Sequence, residues 1–317
     1  MWHAGVRSQN EGISFRNPKM TRFKSPRMSL KASILPERGV LRVGGAEARE
    51  FLQNLITNNV DLADGQHAIY AGLLTPQGKF LFDFFISADG DALLLDCDGA
   101  RAGDLVKRLT FYKLRADVTI ENLSDKLKVM AIWGDDSAAK IAGALADPRL
   151  PAMGARLIGE NPQAPGTEAA TPADYHAHRI ALGVGDSIKD FEPDRTFPLE
   201  VNFEEMNGVD FQKGCFIGQE VTSRTKRRGS VRKRLVPCDV MGEMPKPHTA
   251  ITSVGREVGT VFSVDKENER VLALIRLDLL SDAPLEIGET VVTPHKPHWA
   301  HFEMRGADDE DDEEAEA

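Results

Sequence analysis

The run Lys213-Gly214-Cys215-Phe216-Ile217-Gly218-Gln219-Glu220 sets a thiol two residues from an ammonium and between two glycines. It continues through Arg224, Lys226, Arg227 and Arg228 to Gly229, so acid comes early and cations come late. That polarity suits a helix dipole and predicts a helix beginning at the cysteine. Backbone N–H groups at a helix start and a neighbouring ammonium both stabilise a thiolate, and such settings lower a thiol pKa from about 8.5 by one or more units. The alternative for a lone cysteine is a small buried hydrophobe. The flanking Gly214 and Gly218 argue against space filling, because glycines cost backbone entropy and permit close approach.

The elements that must carry this stretch are legible by periodicity. Residues 39–43 read as a strand, Gly44-Gly45 turns it, and Ala48, Phe51, Leu52, Leu55 and Ile56 recur on one helix face. Three strands follow at 66–74, 79–87 and 92–97, joined by turn residues. A second helical stripe runs from Ala102 to Tyr112, with a strand at 118–122 behind it. Residues 128–134 and a helix over 135–146 echo the first strand and helix, which predicts two ferredoxin-like α+β halves. The proline-rich stretch 147–172 is expected to be mostly loop, and 173–182 a short helix. His176 and His178 on it are two residues apart, off a common face, and are expected to be solvated rather than metal-bound. Beyond Gly229 short strands between Gly, Pro and Asp turns indicate a small β-barrel.

The expected organisation is a targeting or mis-started segment at 1–28, an α+β body at 29–229, a barrel at 230–305 and an acidic disordered tail at 306–317. The first 28 residues hold six Lys/Arg against Glu11, for +5, and the acids between Asp308 and Glu316 supply −8 of the net −10. The tail reads as a solvated solubilising run. With 41% apolar and 28% charged residues the composition is that of a soluble protein, and no run nears the ~20 apolar residues of a membrane span. Cys97, Cys215 and Cys238 have neither metal-ligand spacing nor an even disulfide framework, so a reducing compartment is expected. The chain cannot hold an iron–sulfur cluster through four thiolates of its own, although one cysteine could contribute to a cluster shared with a partner. The Lys226–Arg234 cluster lacks interleaved aromatics and the body is acidic, so stable nucleic-acid binding is not expected.

The stretch 213–220, with Arg224 and Arg228-Gly229 after it, resembles the Lys-Gly-Cys-Tyr/Phe-x-Gly-Gln-Glu hallmark of the YgfZ family of folate-binding proteins that assist iron–sulfur cluster assembly or repair. The continuation to Leu235 looks like its mitochondrial and related bacterial branch. Residues 51–60, Ala68-Ile69-Tyr70 and 78–86 are similar to the N-terminal region of the aminomethyltransferase of the glycine cleavage system, the parent group. The resemblance covers about residues 29–303. It implies an aminomethyltransferase-like, folate-binding α+β body of ferredoxin-like units with a C-terminal β-barrel.

By that likeness Tyr70 and Asp83 match the aromatic and the carboxylate that meet the pterin, and Asn58, Gly218, Gln219, Glu220, Arg224 and Arg228 join the folate-binding set. The two arginines would meet the ligand's anionic glutamate tail or an acidic partner. Independently, Asp83 stands among Phe80, Leu81, Phe82, Phe84 and Phe85, where a buried carboxylate must find donors. The departures bear on activity: Phe82-Asp83 replaces paired aspartates, Cys97 stands where the transferase has an Asn, and 164–172 lacks its Glu-bearing turn. The expected function is therefore a tetrahydrofolate-binding accessory protein for iron–sulfur assembly, acting through Cys215 with Lys213 and Asp83 beside it. The alternative is a folate-dependent aminomethyl transferase. The expected partners are the assembly machinery or its clients, and the expected location is the bacterial cytoplasm, with the mitochondrial matrix as the alternative.

Overall fold

The computed structural model describes residues 29–229 and 231–304; the expected segment 1–28 and the tail 306–317 lie outside the described residues. Its first sheet is antiparallel, in the order β3 (Ile69–Leu74), β4 (Phe80–Asp89), β5 (Ala92–Asp98), β2 (Arg38–Gly44) and β6 (Thr119–Asn122). In β4 the period of two sends Phe82, Phe84 and Ile86 into a core with helices α1 (Ala48–Gln53) and α2 (Ala102–Lys113). The same alternation points Asp83 and Phe85 to the other face. Phe85 enters a second core there with Tyr70, Trp133, Tyr175 and Phe203.

The second sheet runs β10 (Glu168–Ala169), β1 (Lys31–Ile34), β7 (Lys128–Trp133), β9 (Ala155–Gly159) and β8 (Leu145–Ala146). Helix α3 (Pro172–Ala181) follows it, opened by Thr171 and Asp174 in a reciprocal cap. After α4 (Gln219–Arg228) six strands close into a barrel: β11 (Lys233–Met241), β12 (Ala250–Ser253), β13 (Arg256–Asp265), β14 (Arg270–Arg276), β15 (Leu285–Ile287) and β16 (Thr290–Pro294). The mixed α+β body and the C-terminal barrel expected from the sequence are both present.

The two sheets are joined by charge. Asp96 of β5 is fully buried; Arg38 of β2 donates to its Oδ1 at 2.7 Å and Arg156 of β9 to its Oδ2 at 2.8 and 2.5 Å. Arg149 pairs with Asp147 through two hydrogen bonds of 3.0 and 2.8 Å, and Tyr175 Oη accepts from Arg149 and Arg156. The guanidinium carbons of Arg38, Arg149 and Arg156 lie 5.5, 4.8 and 3.9 Å from the Phe85 ring centre. Burial works against ionising Asp147, but the Arg149 guanidinium beside it prevails and holds its carboxyl below the usual carboxylate range.

Several local expectations give way. Residues 135–146 carry a short 3-10 turn at Ala138–Lys140 and the strand β8, not a helix; of that turn only Ala138 is buried, which leaves no apolar stripe to hold one. Within 147–172 the strand β9 lacks a local signal because both its faces are buried, Ala155 and Leu157 in an apolar core and Arg156 on Asp96, which is remote in sequence. His176 is not simply solvated: its Nε2 meets Glu37 at 3.1 Å and its Nδ1 accepts from Arg179 at 2.9 Å.

We predict that Asp96→Ala, which leaves two buried guanidiniums without their shared carboxylate, destabilises the fold by about 3–5 kcal/mol in urea unfolding. Asp89→Ala, which opens an exposed pair with Arg42, should cost about 1 kcal/mol or less in the same measurement.

Candidate functional site

Cys215 sits on a loop tied down on both sides. The Lys213 ammonium donates to the carbonyls of Gln53 and of Ile56, the latter at 2.6 Å, at the end of α1. Gln53 answers with Nε2 on the Lys213 carbonyl at 3.4 Å while its Oε1 accepts from Val60 N–H at 2.9 Å. On the other side Phe216 is buried in the second core and Ile217 packs on the first. Gly218 has φ of 82°, and a Cβ there would lie 2.6 Å from the Thr75 carbonyl oxygen, so this close approach requires glycine. Between the anchors Cys215 is exposed, and a Cβ on the adjacent Gly214 would meet nothing within 4 Å.

The other two thiols are buried. Desolvation pushes Cys97 up to about 12 despite the nearby Arg38, and pushes Cys238 up as well. Cys215 is thus the thiol that a reagent, a metal or a partner can reach.

The placement differs from the expected one in two respects. Helix α4 begins at Gln219, four residues after the cysteine, so the thiol precedes the helix rather than opening it. The Lys213 ammonium is engaged by two carbonyls, which makes it a tie between α1 and the loop. Of the remaining expected residues, Gln219 Nε2 donates to the Gly214 carbonyl at 3.1 Å and steadies the loop from the helix side. Glu220 and Arg224 form an exposed pair at 2.6 Å, and Arg228 is exposed with no ion pair among the described residues.

Tyr70, Asp83 and Asn58 come together elsewhere, inside the body. Tyr70 Oη donates to Asp83 Oδ2 at 2.6 Å, and Ser187 Oγ donates to the other carboxylate oxygen. The Tyr70 ring lies 4.9 Å from Phe85 and 4.6 Å from Phe203. Asn58 Nδ2 donates to the carbonyls of Tyr70 and Asn207, both at 2.7 Å, and its Oδ1 accepts from Asn59 N–H at 2.8 Å. Burial raises the Asp83 carboxyl above its ordinary range against the pull of Arg38.

For a pterin these residues do not fit as they stand. Both Asp83 oxygens have donors, Tyr70 is covered on the side of each phenylalanine, and Asn58 is spent on backbone. The buried side-chain polar atoms lacking a partner among the described residues are Glu205 Oε2, Arg234 Nε and Ser253 Oγ, none of them an atom of Asp83, Tyr70 or Asn58. Two cavities, of about 400 and 1260 Å³, are lined respectively by residues such as Pro198, Val221 and Lys233 and by residues such as Trp133, His178 and Phe262. Neither is lined by Tyr70, Asp83 or Cys215. Ser187, Arg38, Asp96 and Arg149, which dominate this interior, were not singled out from the sequence. The one available signal was a charged residue interrupting an apolar strand, as in Leu94-Leu95-Asp96-Cys97.

Two family profiles match the chain: the GCVT N-terminal domain over residues 37–154, and the CAF17 C-terminal beta-barrel domain over 232–302. The human protein named "Iron-sulfur cluster assembly factor IBA57, mitochondrial" is 37% identical over 257 residues, which cover 71% of this chain and 72% of that protein. Its Neurospora crassa homolog is 34% identical over 73% of this chain, and the match spans 59% of that relative's own length. Among solved structures, the glycine cleavage system aminomethyltransferase T of Bartonella henselae superposes with a TM-score of 0.69, covering 88% of each chain at 14% identity, a likeness of fold. These relatives carry the IBA57 name rather than that of the bacterial YgfZ proteins. Their names are mitochondrial, and that overturns the expected bacterial cytoplasmic location.

Burial lowers the Lys213 ammonium from 10.5 to about 8, against the pull of Asp210 and Asp61. The neutral amine keeps two N–H donors for its two carbonyls, so the tie persists on either side of that value. The unfolded chain holds the proton to about 10.5 and the folded chain releases it near 8, so folding expels a proton between those values and stability rises with pH there. We predict that the stability of the parent chain over Lys213→Gln, measured by urea unfolding, is larger at pH 9.5 than at pH 7. An unchanged difference would show that the ammonium is not desolvated.

Proposed function

Because the chain belongs to the IBA57 family, we propose that it is an iron–sulfur cluster assembly factor in which Cys215 supplies one thiolate to a cluster completed by a partner protein. The observation that carries this reading is the exposure of Cys215 on a loop fixed by Lys213 on one side and Phe216 on the other. A [2Fe–2S] or [4Fe–4S] cluster takes four thiolate-type ligands. Among the described residues no group of three or more His, Cys, Asp or Glu is arranged to hold a metal ion. One thiolate from this chain and the others from a partner is the division of ligands that such a surface supports. Ligation requires the sulfur deprotonated, so its proton passes to solvent as the Fe–S bond forms. The anchored loop lowers the ordering cost of that step, since the backbone on both sides of the sulfur is already fixed. The likeness of 213–220 to the YgfZ hallmark supports the same residue, and the relatives' names support a mitochondrial setting.

Tetrahydrofolate binding has less support. Tyr70 and Ser187 already occupy the two oxygens of Asp83, so a pterin would have to displace them before it could meet that carboxylate. Phe82 in place of a second carboxylate likewise gives no support to aminomethyl transfer, so an accessory role is the better reading than a transferase.

Cys215→Ser should unfold within about 1–2 °C of the parent, as an exposed substitution with no buried contact to lose. The same variant should fail to restore iron–sulfur enzyme activities in cells lacking their own factor; full restoration would dispose of the thiolate mechanism. For folate, saturating tetrahydrofolate should move the melting temperature by less than about 1 °C. A saturable rise of several degrees that Asp83→Asn removes would reinstate the pterin site.

A further inference from the structure

Helix α2 sends Ala102, Leu105 and Leu109 into the first core and packs Val106 and Tyr112 against it. Phe111 stands off that face and is 72% exposed, with its ring edge-on to Tyr112 at 5.7 Å between centres. Leu114, which caps the helix, is 87% exposed. The other large apolar side chains exposed among the described residues, Ile34, Leu62, Met241 and Val254, are scattered along the chain, whereas Phe111 and Leu114 are three residues apart. Leu114 also has a φ of 49°, in the left-handed region where a helix end ordinarily takes glycine. So exposed a side chain recovers little of that backbone strain by packing inside the chain.

Cations gather on the same stretch. Residues 105–118 hold Lys107, Arg108, Lys113 and Arg115 against Asp117 alone. Lys107 is paired with Asp104 at 3.1 Å. Arg108, one turn before Phe111 on the same helix face, forms no ion pair among the described residues, and neither do Lys113 and Arg115. Asp117, two residues past Arg115, is exposed, and its N–H donates to Glu47 Oε2 at 2.6 Å. An excess of positive charge therefore flanks the exposed apolar pair.

From this pair and these charges we infer that the end of α2 docks on an anionic lipid bilayer, with Phe111 and Leu114 entering the acyl boundary and Arg108, Lys113 and Arg115 meeting the headgroup phosphates. Two apolar side chains that stand out from the surface suit a fluid medium that closes around them. Tyr112, half-buried beneath Phe111, supplies the amphipathic ring that favours headgroup level. A second copy presenting the same end would set like charges against each other, which disfavours self-association there. No helix among the described residues is long and apolar enough to cross a membrane, so the attachment is peripheral and reversible. The net charge of −10 repels the rest of the chain from such a surface, and the cationic end of α2 thereby sets the orientation.

Flotation of the full chain with vesicles tests the docking. The chain should bind vesicles of phosphatidylcholine with about 30% phosphatidylglycerol but not phosphatidylcholine alone, and should bind less at about 0.5 M salt. Residues 1–28 also carry six Lys/Arg, so the decisive comparison is between the parent and its variants. Arg108→Gln, Lys113→Gln and Arg115→Gln should each lower vesicle affinity about fivefold, the factor for one cation near an anionic surface. Phe111→Ser combined with Leu114→Ser should lower it by about tenfold or more. Leu114→Gly, which suits the backbone at that φ, should lose affinity while melting at or above the temperature of the parent. Absence of binding to the anionic vesicles overturns the proposal, as does an affinity unchanged by the double serine variant. A Leu114→Gly chain that melts well below the parent would make that side chain structural and also overturn it. Binding to soluble polyglutamate without flotation would assign the face to an acidic protein and reject the bilayer.

Discussion

One buried carboxylate governs the body. Asp96 accepts from Arg38 in its own sheet and from Arg156 in the other, and neither guanidinium has water to fall back on. A buried charge is tolerated only when paired and hydrogen-bonded, so the two sheets are held in one relative position by the cost of any other. The arginines are then fixed around the Phe85 ring, with Phe85 against Tyr70 and Tyr70 on Asp83. The interior is a sequence of dependencies that starts at a single residue of β5.

The exposed loop depends on the same body at one remove. Helix α1 is only six residues long, and its terminal carbonyls need partners that the helix itself cannot supply. The Lys213 ammonium meets that need from 160 residues away in sequence, and the loop bearing Cys215 gains its fixed position in return. Gly218 completes the arrangement by letting the Thr75 carbonyl approach where a Cβ would collide. A free helix end and a reactive-looking motif thus explain each other's residues.

What could be read from the chain was what local pattern encodes. Alternation in 80–89, the stripe Ala48 to Leu52 and the short strands after Gly229 pointed to the α+β body and the barrel, because each rests on neighbours in sequence. The motif at 213–220 marked the exposed thiol for the same reason. Arg156 in β9, by contrast, looks like a solvent residue until Asp96 is beside it, and nothing local announces that pairing. Lys213 was legible as a charge near a cysteine, but its carbonyl partners lie on another element, so its placement as a tie was not. The start of α4 was misplaced by four residues because charge polarity fits several registers, whereas Gly218 in a left-handed conformation fits one.

An aminomethyltransferase-like fold whose inner carboxylate is self-satisfied raises the question of what such a scaffold is for. A fold does not carry an activity by itself; the residues at a site do. In this chain the inner residues bind each other: Tyr70 and Ser187 hold both oxygens of Asp83, and the arginines surround an aromatic ring rather than open space. Each of these contacts favours rigidity over ligand entry. The single-thiolate role proposed for Cys215 calls for rigidity, because one bond to a shared cluster cannot offset the entropy of ordering a loose loop. On the proposed reading the buried arginine–carboxylate network and the surface cysteine belong together, a filled core and an anchored loop holding an exposed sulfur in a fixed place.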